Sequence, residues 1–412
     1  MRVAAITGTG WAGYFNTLPR QITGMRGFRV GSALGIPVRL NWSFLLVLPV
    51  FAAFIAWDIA ALTGVVNGVF GTAVDPTQLS EGALPLALGL ASALGLFGGV
   101  LLHEFGHSLV ARRYGYDIES ITLWLLGGVA SFEEFPENWR HELVIAAAGP
   151  VVSVLVGVGS YAVFLGLPAG LDPARFVLGY LAVLNVVLAV FNLLPAFPMD
   201  GGRILRALLA RSQPHAQATQ QAAAVGKVFA FGLALLGLFA NLFLILLAFF
   251  IYIAASNEAQ QTSLKAAFEG VTVRDVMTPE ERLLTVDRDA SVAALLGRMF
   301  EERHTGYPVV RNGALVGMVT LDDASDIDEV EQDAYRVEDV MATDVPTIGP
   351  GADAMEAFER MQGNSVGRLP VVDEDELVGI ISRTDLMRAF DIVQQSGPPQ
   401  GVRRTEPDID IR

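Results

Sequence analysis

Cysteine is absent from this 412-residue chain, which excludes disulfides and thiolate metal ligands and leaves the compartment open. Lysine is nearly absent too. Lys227 and Lys265 are the only two, so arginine supplies the remaining positive charge, and histidine is limited to five residues. Charge of either sign is missing from long runs such as Phe44–Ala56 and Leu233–Ala255. Such runs read first as membrane spans. Near the start, Val3–Ile6 is too short for the apolar core of a signal peptide, so none is expected. Residues 1–24 lack periodicity. The segment 1–26 is expected to be disordered, or not translated if Met25 is the start.

What is present falls into two blocks. Hydrophobic residues make up 52% and the mean hydropathy is +0.46, both high for a soluble globular protein. Residues 1–270 carry 14 acidic and 14 basic side chains, whereas 271–412 carry 29 acidic and 14 basic, which accounts for the whole net charge of −15. A neutral apolar block is joined to an acidic soluble one. Phosphate binding needs clustered cations, so nucleic acid is excluded as a partner. Arginine in place of lysine, with this acidity, points to a salt-loving host; an ordinary acidic surface is the alternative.

Residues 27–39 read as a short strand or hairpin at the membrane surface. Apolar stretches follow at about 41–63, 83–113, 141–167, 176–198, 222–240 and 242–256, giving about six spans if each is helical, since roughly 20 residues cross the hydrocarbon. Arginine clusters recur on alternate loops: Arg2, Arg20, Arg26, Arg29 and Arg39 before the first span, Arg112, Arg113 and Arg140 after the second, Arg203, Arg206 and Arg211 after the fourth. This multi-pass arrangement puts both chain ends in the cytosol.

From about 271 the texture becomes that of a soluble α/β module with an internal repeat. Val273-Arg-Asp-Val-Met277 recurs as Val337-Glu-Asp-Val-Met341, Tyr307-Pro-Val-Val310 as Leu369-Pro-Val-Val372, and Leu315-Val-Gly-Met-Val-Thr320 as Leu377-Val-Gly-Ile-Ile-Ser382. The expected organisation is a transmembrane domain over 27–262, repeats over 271–326 and 334–392, an acidic linker at Asp322–Asp333, and a disordered acidic tail over 396–412.

The chemistry concentrates in the second span, in His103-Glu-Phe-Gly-His107. On a helix, positions i and i+4 lie about 40° apart on one face, so both imidazoles reach one metal ion while Glu104 sits one step round. The motif alone occurs by chance. Inside a membrane helix, three ionisable side chains in five residues are costly without a function, and zinc ligation is the favoured reading over a hydrogen-bonded structural cluster. Catalytic zinc needs a third protein ligand. His141 opens the third span beside Glu142 at a membrane edge, where an interfacial role is favoured. His215 lies in a polar loop and His304 in the repeat region. Asp200 stands out, in Asn192-Leu-Leu-Pro195-Ala-Phe-Pro198-Met-Asp200-Gly201-Gly202, where two prolines and two glycines break a span. Its alternative role is to cap a helix over Gly201–Ala210.

Together the two motifs resemble the site-2 protease family of intramembrane zinc metalloproteases, in its branch with a C-terminal pair of cystathionine-β-synthase-type (CBS) repeats. The resemblance covers about 27–390 and lacks the PDZ insertion of another branch. It implies a polytopic α-helical membrane domain with a small membrane-associated β element, followed by an α/β tandem CBS domain. It further implies one Zn²⁺ per chain on His103, His107 and Asp200, with Glu104 as catalytic acid/base and Asn192 holding the substrate carbonyl or oxyanion. Leu125-Leu126-Gly127-Gly128-Val129-Ala130 becomes a membrane-dipping strand whose edge pairs with an unwound substrate; a plain surface hairpin is the alternative. The implied substrate is a single-span membrane regulator already trimmed by another protease. For the CBS pair the resemblance implies adenine nucleotide (ATP, ADP or AMP) at Thr320, Asp323, Ser382 and Asp385, with Arg383 and His304 near phosphate. A structural module that forms a homodimer is the rival. At the level of the whole chain, the rivals are a CBS-regulated transporter or channel and a metal-binding pseudoprotease scaffold.

Overall fold

The structure, a computed structural model, describes residues 27–124, 127–132 and 138–396. It divides into two compact units between Gln260 and Gln261. The expected N-terminal segment 1–26 and almost all of the tail, 397–412, lie outside the described residues.

The first unit opens with strands β1 (Phe28–Ala33) and β2 (Ile36–Leu40), the expected hairpin. Helices α1 (Trp42–Trp57) and α2 (Ile59–Phe70) follow, then a short α3 (Pro76–Leu79) and the 30-residue α4 (Leu84–Arg113). Strands β3 (Ile118–Trp124) and β4 (Gly127–Phe132) come next. Helices α5 (Trp139–Gly166), α6 (Asp172–Asn192), α7 (Asp200–Leu209), α8 (His215–Phe239) and α9 (Leu242–Phe268) complete the series. The strands form one sheet in the order β1-β2-β3-β4, with β2 and β3 parallel and the other pairs antiparallel. Among the described residues β4 is therefore an edge.

Five of these helices are long and apolar enough to cross a membrane, and a sixth span is counted if α1 and α2 form one. Their outer faces expose large apolar side chains, such as Val228, Phe231, Leu246 and Phe249. Water would leave such faces costly; lipid does not. The first expected span, 41–63, is not straight. It bends by 75° at Asp58, and α2 runs to Phe70 through residues expected to be loop. Asp58 donates its backbone N–H to Phe54 and accepts from the N–H of Leu62, so it ends one helix and starts the next. Three other boundaries also differ. α6 stops at Asn192 rather than 198, α8 starts at His215 rather than 222, and α9 continues to Phe268 rather than 256. The extra turns of α8 and α9 are polar and carry no hydropathy signal, whereas Pro195 and Pro198 end α6 early.

The second unit holds two three-stranded sheets, and the short strand Thr278–Pro279 of the first repeat joins the sheet of the second. One holds Val286–Asp287, Gly306–Arg311 and Ala314–Thr320; the other holds Thr278–Pro279, Glu376–Ser382 and Arg368–Asp373. The duplication extends into the cores. Val292, Leu295, Met299, Tyr307, Val309 and Val319 are buried in the first, and Ala354, Ala357, Met361, Leu369, Val371 and Ile381 take the equivalent buried positions in the second.

Candidate metal centre

Helix α4 presents His103 and His107 on one buried face, as the i, i+4 spacing requires. Their rings sit edge to face with centroids 4.8 Å apart. Asp200, also buried, is the first residue of α7. It does not cap that helix: Met199 occupies the cap position without a side-chain bond, and the Asp200 carboxylate turns to the histidines. The break that precedes it spans 193–199 and holds both prolines. Gly201 and Gly202 do not break the helix as expected but lie within the first turn of α7, close against the backbone of Leu193 and Ala196.

Three ligand atoms converge. His103 Nε2 is 3.1 Å from Asp200 Oδ2, His107 Nε2 is 3.2 Å from the same oxygen, and the two Nε2 atoms are 3.1 Å apart. Among the described residues this is the one group of three or more such side chains close enough to share an ion. The distant nitrogens are held as well. His107 Nδ1 lies 2.7 Å from the carbonyl of Ile145, which can only accept, so Nδ1 carries a proton, and in the neutral ring Nε2 keeps the lone pair. His103 Nδ1 lies 2.9 Å from Ser153 Oγ. A neutral His107 thus aims a lone pair at a carboxylate oxygen, an arrangement that repels unless a cation lies between them.

The spacing fits zinc. An ion bonded tetrahedrally at about 2.0–2.1 Å keeps its ligands roughly 3.3 Å apart, close to the edges of this triangle. Three protein ligands leave a fourth position for water or substrate, as catalytic sites require. Residues that sequence reasoning missed make the approach possible. Gly149 of α5 lies against the triangle: a Cβ there would be 2.2 Å from His107 Nε2 and 2.7 Å from His103 Nε2. The run of small residues Ala146-Ala-Ala-Gly149 is the one signal that hinted at this close packing.

Glu104 is half-buried beside the triad. Strand β4 passes directly over it, since a Cβ on Gly128 would come within 2.4 Å of Glu104 Cγ. Gly127, Gly128, Val129 and Ala130 all lie in β4, paired with Trp124, Leu123, Thr122 and Ile121. Leu125 and Leu126, also expected to meet substrate, lie outside the described residues. Asn192 ends α6, and its Nδ2 donates to the Leu188 carbonyl at 3.1 Å. It is not one of the converging ligands.

The other histidines stand elsewhere. His141 stacks on Tyr114 and lies 3.1 Å from the Tyr116 hydroxyl. His215 is not in a loop: it opens α8, with Nε2 3.6 Å from Glu142 Oε2. Glu142 itself is buried against Arg206. His304 stands edge-on to Tyr307 in the second unit.

In the repeats, the four expected nucleotide ligands occupy equivalent helix starts. Thr320 and Asp323 form a capping box, with Asp323 Oδ2 accepting from both the backbone N–H and the hydroxyl of Thr320. Ser382 and Asp385 repeat the pattern. Arg368 of the second repeat donates to the Gly306 carbonyl and Thr305 Oγ1 of the first. The Tyr307 hydroxyl donates to Glu302 at 2.6 Å and holds that carboxyl below its ordinary value, while burial pushes the Tyr307 hydroxyl up.

Comparison with known proteins assigns both parts of the chain to families. Residues 91–172 and 168–235 match peptidase family M50, and residues 273–328 and 337–392 match the CBS domain. A zinc metalloprotease of Methanocaldococcus jannaschii is 34% identical over 369 residues, covering 89% of this chain and 96% of that protein. The solved site-2 protease of the same organism is 35% identical, with a TM-score of 0.41, and the match covers 57% of this chain and 95% of that one. The CBS-pair protein CBSX2 of Arabidopsis thaliana is 28% identical, with a TM-score of 0.28, over 30% of this chain and 96% of that one.

Proposed function

Because the chain belongs to peptidase family M50, as a multi-pass zinc metalloprotease of the site-2 protease type with tandem CBS domains, we propose that it cleaves transmembrane segments of single-span membrane regulators inside the bilayer. The observation that carries this reading is the convergence of His103, His107 and Asp200 with Glu104 beside them, under an edge strand.

His103, His107 and Asp200 would hold one Zn²⁺ per chain, which when bound lowers the pKa of water to about 7 and polarises a carbonyl. Glu104 accepts the proton of the attacking water and returns it to the leaving amine. Asn192 turns from the Leu188 carbonyl to donate to the oxyanion, a contribution of about 3–4 kcal/mol for donors of this kind. A helical substrate hides its carbonyls in hydrogen bonds, so it must unwind before attack. The free edge of β4, including Gly127, Gly128, Val129 and Ala130 and preceded by Leu126, supplies backbone partners for the extended segment. Both termini lie in the cytosol, on the arginine pattern.

At the CBS pair, Thr320, Asp323, Ser382 and Asp385 would meet the ribose of an adenine nucleotide that modulates cleavage. Each capping box engages Oδ2 of its aspartate, so the second carboxylate oxygen is the one offered to a ribose hydroxyl. A homodimer through the CBS domains is compatible with this role. The transporter or channel alternative has no use for the histidine–aspartate triangle.

The test is co-expression of the full chain with a membrane-tethered substrate. Wild type cleaves it and Glu104→Gln does not, while both bind zinc. Undiminished cleavage by Glu104→Gln removes Glu104 from the chemistry. Titration of the chain with ATP, ADP and AMP tests the second part, and no heat at millimolar nucleotide ends it.

A further inference from the structure

Arg206 is a charged side chain that the reaction above does not use, and it is only 5% exposed. It lies on α7, six residues beyond Asp200. Its Nε donates to Glu142 Oε1 at 2.7 Å, and a second guanidinium nitrogen lies 2.5 Å from the same oxygen. The third nitrogen donates to Glu258 Oε1 at 2.6 Å. Its Cζ stands 5.2 Å from the ring centroid of Phe197, in the segment that breaks the helix before Asp200. One guanidinium thus ties α7 to α5 through Glu142 and to α9 through Glu258.

Each connection leads back to the metal triangle. Glu142 stands one turn before Ile145, whose carbonyl orients His107, and the same helix carries Gly149 against both Nε2 atoms and Ser153 beside His103. Asp200, the third corner, sits at the start of the helix that Arg206 anchors. The arginine therefore joins the element that orients the histidines to the element that supplies the carboxylate. A planar fork with two acceptors fixes a helix both along and around its axis, which a point charge does not. Buried ion pairs are poor evidence for added stability, and setting register is their best-attested use. Glu258 stands on α9 just before the chain passes into the second unit, so this grip also includes the helix that leads out of the catalytic unit.

We propose that Arg206, held between Glu142 and Glu258, is a positioning residue that sets the first turn of α7 so that Asp200 closes the triangle with His103 and His107. This rests on the reading of that triangle as the zinc site. The residue touches neither substrate nor metal; it acts through Asp200.

The experiment compares purified full-length wild type, Arg206→Met, Arg206→Lys, Glu258→Gln and Asp200→Asn in detergent. Zinc affinity is measured by competition with a chromophoric chelator, kcat and KM on a membrane-tethered substrate, and folding by monodispersity and thermal melting. Arg206→Met is expected to lose at least tenfold in zinc affinity and to lower kcat with KM little changed. Arg206→Lys recovers part of both, and Glu258→Gln falls several-fold short of wild type. A purely structural arginine would lower the melting temperature and leave zinc affinity alone. Zinc affinity and kcat of a folded Arg206→Met within twofold of wild type overturn the proposal. Should Arg206→Met not fold, unchanged zinc affinity and kcat in Glu258→Gln overturn it equally. The Asp200→Asn control separates the two levels: zinc affinity equal to wild type there defeats the metal-site reading itself, and the positioning role falls with it.

Discussion

Gly149 and His107 approach so closely that any β-carbon at position 149 would lie 2.2 Å from the His107 Nε2 atom. Alanine normally favours a helix over glycine by about 1 kcal/mol, so Gly149→Ala should leave α5 intact or stabilise it. The added methyl instead displaces one or both imidazoles. We expect a folded protein with under a tenth of the wild-type zinc affinity and no measurable cleavage. Metal analysis after dialysis against a weak chelator reads the first, and substrate cleavage the second.

Ser153 orients His103 from the far side of the ring. Removing such an outer partner typically costs 10–100-fold in metal affinity or activity. Ser153→Ala should fall in that range, and Ser153→Thr should recover much of the loss. Chelator competition distinguishes the two, and equal affinities for wild type and Ser153→Ala would exclude a role for the hydroxyl.

Gly128 bears on Glu104 rather than on the ligands. Gly128→Ala should therefore retain zinc while kcat drops roughly 10²-fold, within the range that a displaced acid/base group causes. Steady-state kinetics alongside zinc content checks this split. A parallel loss of zinc would show that the strand supports the ligands instead.

Asp323 and Asp385 have two tasks under the proposed function, capping a helix and meeting ribose. Asn can still cap but lacks the charge, whereas Ala does neither. Asp385→Ala removes the acceptor for the Ser382 N–H and hydroxyl and is expected to cost the second unit about 1 kcal/mol, the scale of one such hydrogen bond, and Asp385→Asn much less. If nucleotide binds there, calorimetry should show weakened affinity in both variants. Wild-type affinity in Asp385→Asn would move the ligand away from this carboxylate.

Glu302 gives the second unit a dependence on acid. Its folded carboxyl is held below the unfolded value by the Tyr307 hydroxyl, so its contribution is present above the unfolded pKa and lost as pH falls through the folded one. Tyr307→Phe removes that contribution. Chemical denaturation followed from neutral pH to about pH 3, below the ordinary carboxyl range, should show the wild-type advantage shrinking as acid is added, and a constant gap would contradict this origin.

Much of the site was readable along the chain because its signals are local. His103 and His107 share a face through helical periodicity alone, and charged residues in an apolar run are conspicuous at once. The tandem repeat was equally plain in three paired motifs, while the structure added the core pairs Val292/Ala354, Leu295/Ala357 and Met299/Met361, which lie outside those motifs. The boundaries of α8 and α9 were less legible, since their polar turns look like loop in any hydropathy reading. The bend at Asp58 was missed for a related reason: a single carboxylate barely alters the average over twenty residues.

The amino-acid order by itself set two imidazoles on one helix face in apolar surroundings and singled out one carboxylate as their partner, because helical spacing and the cost of burying charge both act within a short stretch. Only the tertiary structure decided what holds those groups in place. Ile145, Gly149, Ser153, Glu142 and Glu258 are far from both motifs in sequence, and although Arg206 lies six residues beyond Asp200, nothing along the chain joins it to them. They matter through distances of a few ångströms across packed helices, and such distances exist only once the chain has folded.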